Sequence, residues 1–153
     1  QQERRDLTPA VQLQPRQRGL RYENIRSARA EEGVLRLLMM DPSLYPDMAQ
    51  LSPEDFSSPL LGKVYGLLLH RARDGLSTQL SLLAEELTGE EMDHLAYVAS
   101  QPESQDNRRR SLADYIAVIR DEALKRSGVS GNDLLLAAQQ KNLKKKAYTE
   151  ETP

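Results

Sequence analysis

The side chains that could do chemistry are few in this chain, and their spacing does not suit it. There are two histidines, His70 and His94, and no cysteine. Neither histidine stands in a metal-ligand pattern of the HExxH kind, and each reads as a surface or half-buried side chain. Without cysteine, disulfides, thiolate metal sites and cysteine nucleophiles are excluded. Glu85, Glu86, Glu90, Glu91 and Asp93 cluster in sequence. A carboxylate pair with separated pKa values would serve acid–base catalysis, but Glu91 is explained by helix capping and the others by a solvated face. Gly33, Gly62, Gly66 and Gly75 are isolated, so no glycine-rich loop cradles a phosphate, and there is no GxSxG elbow. Arg108-Arg109-Arg110 and Lys144-Lys145-Lys146 are the basic runs. Either can meet a phosphate or an acidic peptide, but neither is interleaved with aromatics on which bases would stack. These residues assign no catalytic, cofactor-binding or metal-binding role and point to a binding module.

The elements that position them are helical. The chain has 153 residues, enough for one domain with an appendage; 39% are hydrophobic, 29% charged, and the net charge is −2. One Phe, six Tyr and no Trp leave a core of Leu, Ile, Val, Met and Ala, which favours helices over sheets. No apolar run nears the ~20 residues that span a bilayer, and no signal-peptide pattern opens the chain. The missing initiator Met suggests a fragment, or a processed product, of something larger.

Residues 1–22 hold Pro9, Pro15, Gly19 and many glutamines without a hydrophobic period, a composition expected to form a flexible linker. The most apolar stretch follows, AEEGVLRLLMMDPSLYP over 30–46, where only Arg36 interrupts Val34, Leu35, Leu37, Leu38, Met39 and Met40. It predicts a central helix over 25–40. Asp41-Pro42, Ser52-Pro53 and Ser58-Pro59 each pair a capping side chain with a proline suited to the first helical turn. They predict helices over 43–49, over 53–57 as one or two turns, and over 59–73, with Phe56 plugging the second into the core. A helix over 80–87 follows, carrying Leu80, Leu83, Ala84 and Leu87. Thr88-Gly89-Glu90-Glu91 matches a capping box and starts a helix carrying Met92, Leu95, Ala96 and Ala99. After a polar break, Leu112, Tyr115, Ile116, Ile119 and Ala123 mark a helix over 109–126. Leu134, Leu135, Ala138 and Leu143 mark another over 132–147.

The expected fold is all-α, a small multi-helix bundle over 23–106 followed by a C-terminal helical hairpin over 107–148 and a tail over 149–153. The last helix is late, apolar and weakly anchored. It serves either packing on its neighbour or a helical surface offered to a partner.

AEEGVLRLLMMDPSLYP, then LSPEDFSSPLLGKVYGLLLHRARDG, then LSLLAEEL, then NDLLLAAQQKNLKKKAY resemble in order and spacing the C-terminal helicase-binding domain of bacterial DNA primase, of the Gram-positive, clostridial type. That domain is related to the N-terminal domain of the hexameric replicative helicase. The resemblance implies recruitment of primase to the helicase at the replication fork, modulation of helicase activity, and a bacterial cytoplasmic setting. It implies no primer synthesis by this stretch and no cofactor in it, zinc and magnesium belonging to the parent's polymerase and zinc-binding parts. It places helicase contact on Leu134, Leu135, Ala138, Gln139, Asn142 and Lys145. It also names a second partner, the acidic tail of single-strand binding protein, for which Arg26, Arg29 and Lys63 are the candidate contacts. Contact with nucleic acid would be weak or indirect, and no membrane is implied. The alternatives are the collar domain of the helicase itself and a DNA- or single-strand-binding-protein docking module.

Overall fold

The apolar block over 30–46 does centre the core. In the computed structural model, which describes residues 14–16, 18–103 and 105–128, Val34, Leu35, Leu37 and Leu38 are wholly buried. They lie on α1, Ile25–Met40. Asn24 caps its start by accepting the amide of Ser27 at 3.0 Å. Three further helices surround it: α2, Pro59–Arg73, α3, Gly89–Ser100, and α4, Arg108–Arg126. Among the described residues there is no strand, and the architecture is an all-α bundle. No described helix is long and apolar enough to cross a membrane.

The capping grammar holds at the main starts. Ser58 Oγ accepts the amide of Leu61 at 3.2 Å. Thr88 and Glu91 satisfy each other's amides at 3.1 and 2.8 Å. The short elements differ from expectation. Pro42–Gln50 is a 3-10 helix instead of an α-helix over 43–49, because Pro46 inside it lacks an N–H and crowds the preceding turn. Pro53–Asp55 is a single turn, as the one or two turns expected allow, and is 3-10; Leu80–Leu83 is another 3-10 turn, followed by turns where a helix over 80–87 was expected. Their anchors still face inward: Leu44, Met48, Phe56, Leu83 and Leu87 are buried, and Phe56 stacks on Tyr65 with ring centroids 4.7 Å apart. On α3 the inward stripe is His94, Leu95 and Val98. Ala96 and Ala99 are exposed.

α3 and α4 are separate helices. Asn107 turns the chain between them in the left-handed region, φ 43°, and caps α4 by accepting the amide of Arg110 at 3.2 Å. α4, assigned by sequence to the first arm of a hairpin beginning at 107, packs along α1 over its length and gives Leu112, Ile116 and Ile119 to the core. Gly33 lets the two helices close: a Cβ there would collide with the Tyr115 ring. Tyr22, placed by composition at the end of the linker, is 6% exposed and belongs to the core. The helix expected over 132–147 lies outside the described residues.

One buried charge joins three of these pieces. Glu31 on α1 is fully buried. Its carboxylate accepts from Ser27 Oγ at 2.6 Å, from the Ser57 amide and hydroxyl at 2.9 and 2.6 Å and from the Ser58 amide at 3.1 Å. Ser58 is the N-cap of α2, so the carboxylate sits at the positive end of that helix. Glu31→Ala strands those donors in a dry site. An unpaired buried polar group costs about 1–3 kcal/mol. The expected outcome is a loss of about 3 kcal/mol in urea unfolding, against less than about 0.5 kcal/mol for Glu86→Ala on the exposed surface.

Candidate functional site

Of the three cations expected to meet an acidic peptide, the structure brings two together. Arg26 and Arg29 lie on one side of α1 and line a hollow of about 390 Å³ with Glu32, Arg36, Glu103 and Tyr115. Lys63 is elsewhere, on α2, with its Nζ 3.9 Å from Glu91.

Most charge in the hollow is already matched. Arg26 donates to Asp121 at 3.1 Å and to Glu122 at 2.6 Å. Glu122 also accepts from Asn24 and Lys125, and these bonds, that from Asn24 foremost, hold its carboxyl down at about 2. Arg36, the one polar residue in the apolar block, is 9% exposed. Its Nε donates to the Val98 carbonyl near the end of α3 at 2.9 Å, and its guanidinium pairs with Glu103 at 2.9 Å. Tyr115 Oη donates to the same carboxylate at 2.8 Å. Burial, then the neighbouring Glu103, pushes the Tyr115 phenol up to about 12. Arg29 is exposed and makes no hydrogen bond or ion pair among the described residues, so it is the cation best placed to take up an anion.

Beside the hollow, three titratable groups form a closed cluster. Tyr22 Oη donates to Glu32 Oε2 at 2.6 Å and is bonded to His94 Nε2. His94 Nε2 lies 3.7 Å from the same carboxylate. Gln14 fixes the backbone of Tyr22 from outside: its amide donates to the Tyr22 carbonyl at 3.0 Å and accepts the Tyr22 N–H at 2.7 Å. Desolvation pushes the Tyr22 phenol and the Glu32 carboxyl up and His94 down. His94 is therefore a core side chain and not a surface one. His70 is exposed, and Asp74 one turn later stands 3.2 Å from it, a partner the sequence reading did not give it.

A second concavity lies on the far side of the 3-10 segment. Tyr45, Pro46, Met48, Leu51, Leu69 and Ala72 are among the residues lining a largely apolar groove of about 430 Å³. Burial pushes the Tyr45 phenol up to about 12. The expected helicase contacts Leu134, Leu135, Ala138, Gln139, Asn142 and Lys145 lie outside the described residues. Among those described, no group of three or more His, Asp or Glu side chains is arranged to hold a metal ion.

Sequence reasoning missed Tyr22, Glu31, Glu32, Arg36 and Glu103 as structural polar residues. A signal existed for Glu31 and Arg36. Glu31 shares a helical face with Ala28, Val34, Leu35 and Leu38, and Arg36 sits inside the apolar block. A charge on such a face needs a partner.

A family model described as the DnaB-like helicase N terminal domain matches residues 23–121, well over half of the chain. It begins beside Tyr22 and ends inside α4. No curated protein and no solved structure matches.

The buried cluster makes a pH-dependent stability. His94 is held below its ordinary value of 6.5, so the folded chain binds that proton less readily than the unfolded chain. Its contribution is full above 6.5 and declines as pH falls through and below that value. Glu32, raised above 4.5, acts in the opposite sense and loses its contribution as pH rises through its elevated value. The His94 resonance should titrate below 6.5 by NMR. His94→Gln, compared with the parent by urea unfolding, should destabilise the chain more at about pH 7.5 than at about pH 5.5.

Proposed function

The chain belongs to the DnaB-like helicase N-terminal domain family, and on that premise we propose that it is a non-catalytic docking domain of the replication machinery, the helicase-binding domain of a bacterial DNA primase. The observation that carries the primase reading is the segment NDLLLAAQQKNLKKKAY, which follows the matched bundle and offers Leu134, Leu135 and Ala138 with Gln139, Asn142 and Lys145 on one helical face. An apolar stripe edged by amides and a cation suits docking of one helix against another. Leu135 and Ala138 supply apolar contact with the N-terminal domains of a hexameric replicative helicase, and the polar three set register. The bundle is the rigid base that presents this segment. On this reading the domain works in the cytoplasm at the replication fork. Zinc and magnesium belong to other parts of the parent primase.

Arg29, with Arg26 beside it, is the favoured contact for an acidic peptide such as the tail of single-strand binding protein. Lys63 would contribute to such a contact only from a separate surface.

The family description itself favours a second reading, the collar domain of the replicative helicase. That domain would associate with copies of itself. One titration separates the two. The labelled chain is added to the purified cognate helicase hexamer, beside a form ending at Gly128 and the double variant Leu135→Asp/Ala138→Asp. Saturable binding that weakens at least about tenfold in both altered forms is expected, a loss of about 1.4 kcal/mol, with the helical circular dichroism of the bundle retained. Binding undiminished by truncation would sink the assigned contact. Dimers or larger assemblies of the chain alone in sedimentation, without helicase binding, would favour the collar reading.

A further inference from the structure

Arg29 and Glu32 stand one turn apart on α1 and carry opposite charge. Side chains at that spacing ordinarily meet and pair. Here they do not. Glu32 Oε2 takes the Tyr22 hydroxyl at 2.6 Å instead, on the side of α1 where His94 stands 3.7 Å away. Arg29 is left exposed, without a partner among the described residues. Its neighbours on the helix are already committed. Arg36, one turn beyond Glu32, binds the Val98 carbonyl and Glu103, and Arg26 binds Asp121 and Glu122. Of the three arginines lining the hollow, Arg29 is the one whose charge is unmatched among the described residues, and Glu32 is the lining carboxylate that helical register puts beside it.

What keeps Glu32 from Arg29 is a residue outside the helix. Tyr22 is buried and touches α1 through Glu32 and α3 through His94. Gln14 holds its backbone by two hydrogen bonds, 3.0 and 2.7 Å long, and Leu20 packs against the core from the same segment. Burial lifts the Glu32 carboxyl, while the Tyr22 hydrogen bond and then the charges of Arg36 and Arg29 pull it down. Arg29 thus acts on Glu32 across a gap that it does not close. The carboxylate has two partners within reach, Tyr22 toward the core and Arg29 toward solvent. His94 does not hold it unaided, since 3.7 Å exceeds hydrogen-bond length.

We infer that Tyr22 is a positioning residue for the anion contact at Arg29: by holding Glu32 on the buried side of α1, it denies Arg29 its intrahelical partner and leaves that guanidinium open to a carboxylate from another molecule. The inference rests on the reading of Arg29 as a contact for an acidic peptide, and adds what keeps that contact open. With Tyr22 in place the hollow offers a free cation. With Tyr22 withdrawn, Glu32 loses its donor in a half-buried place, which is costly for a charge, and it turns to Arg29, so that the site closes on itself. The coupling is reciprocal: an anion on Arg29 favours docked Tyr22 by the same factor by which docked Tyr22 favours the anion. Tyr22 stands just ahead of the residues that match the family model, so this control is additional to what the family match covers.

Binding of a synthetic oligo-aspartate peptide to the full-length chain, followed by amide shifts in an NMR titration, tests the control and the contact separately. Arg29→Gln should abolish saturable binding. Tyr22→Phe, which keeps the ring, should weaken it about two- to fivefold, the range open to a partly exposed ion pair that the peptide must displace. Gln14→Ala, which loosens Tyr22 from outside the core, should act in the same direction and carries the test if Tyr22→Phe impairs folding. Glu32→Gln removes a negative charge near the peptide and tightens binding on that ground alone, so the coupling is the decisive readout. Its gain should be at least about twofold larger in the Tyr22→Phe background than in the parent. Circular dichroism and urea unfolding establish which variants fold as the parent does. Undiminished binding in the folded Tyr22 and Gln14 variants, or equal gains from Glu32→Gln in the two backgrounds, with Arg29→Gln still damaging, would overturn the control and leave the anion contact standing. Affinity unchanged by Arg29→Gln would overturn the contact and the control built on it.

Discussion

A carboxylate wholly buried from solvent decides how this bundle is put together. Glu31 lies on the buried side of the central helix and takes hydrogen bonds from Ser27 on its own helix and from Ser57 and Ser58 at the mouth of α2. A charge in that position is tolerated only when every lone pair is used. The cost of failing sets the geometry: α2 must begin where its first amides reach Glu31, and the Pro53–Asp55 turn must deliver Ser57 to the same place. Apolar packing alone would let α2 slide along α1 at little cost, whereas a fixed set of donors allows one register.

The other buried charge works at the opposite end of the same helix. Arg36 reaches the Val98 carbonyl near the end of α3, which also accepts the Gln101 amide at 3.3 Å, and holds Glu103 in the α3–α4 loop. Tyr115 binds that carboxylate from α4. Together Glu31 and Arg36 assign each neighbour its place on α1: α2 through its N-terminus, α3 through its C-terminus, α4 through Tyr115 over Gly33. The close approach at Gly33 depends on this, since the Tyr115 ring fills the space a larger side chain would occupy. The Tyr22–Glu32–His94 cluster extends the scheme to the N-terminal segment, so that Gln14, Pro15 and Tyr22 are fastened where composition pointed only to a tether.

The sequence shows the long elements plainly because the 3.6-residue apolar period is sustained over α1, α2 and α4, joined at α2 by the Ser58-Pro59 capping signal, and the bounds Ile25–Met40 and Pro59–Arg73 are the ones it predicts. The short elements carry one signal only. Asp41-Pro42 and Ser52-Pro53 announce that a turn begins, but nothing local distinguishes one 3-10 turn from an α-helix except Pro46, whose effect is to deny the α form. On α3 Ala96 and Ala99 are exposed, while His94 is drawn inward by a tyrosine 72 residues away in sequence. No periodicity reports such a contact. Glu103 and Tyr22 stayed illegible for the same reason, each gaining its role from a partner on a different element. The candidate site divides similarly. Arg26 and Arg29 are one helical turn apart and meet as their spacing requires, whereas nothing in sequence says that Lys63 points to another surface.

The arginine run at 108–110 shows how charge on this molecule acts. Read alone it is a basic patch. In the fold Arg108 stands 3.3 Å from Asp41 and Arg109 stands 2.9 Å from Asp47, while Asp121 and Glu122 at the other end of α4 meet Arg26. Exposed pairs of this kind contribute little stability each, about 0–1 kcal/mol. Their value is in the difference between alternatives. With α4 parallel to α1, the arginines would face Arg26 and Arg29, and Asp121 and Glu122 would face Asp41 and Asp47. The reversed packing therefore collects repulsion at both ends, and the observed one collects attraction. Direction along α4 fixes where the chain leaves the bundle, and that exit point determines which surface the following residues can reach. Charges that look like a binding site in sequence thus act within the fold, where they set the direction of α4 on α1.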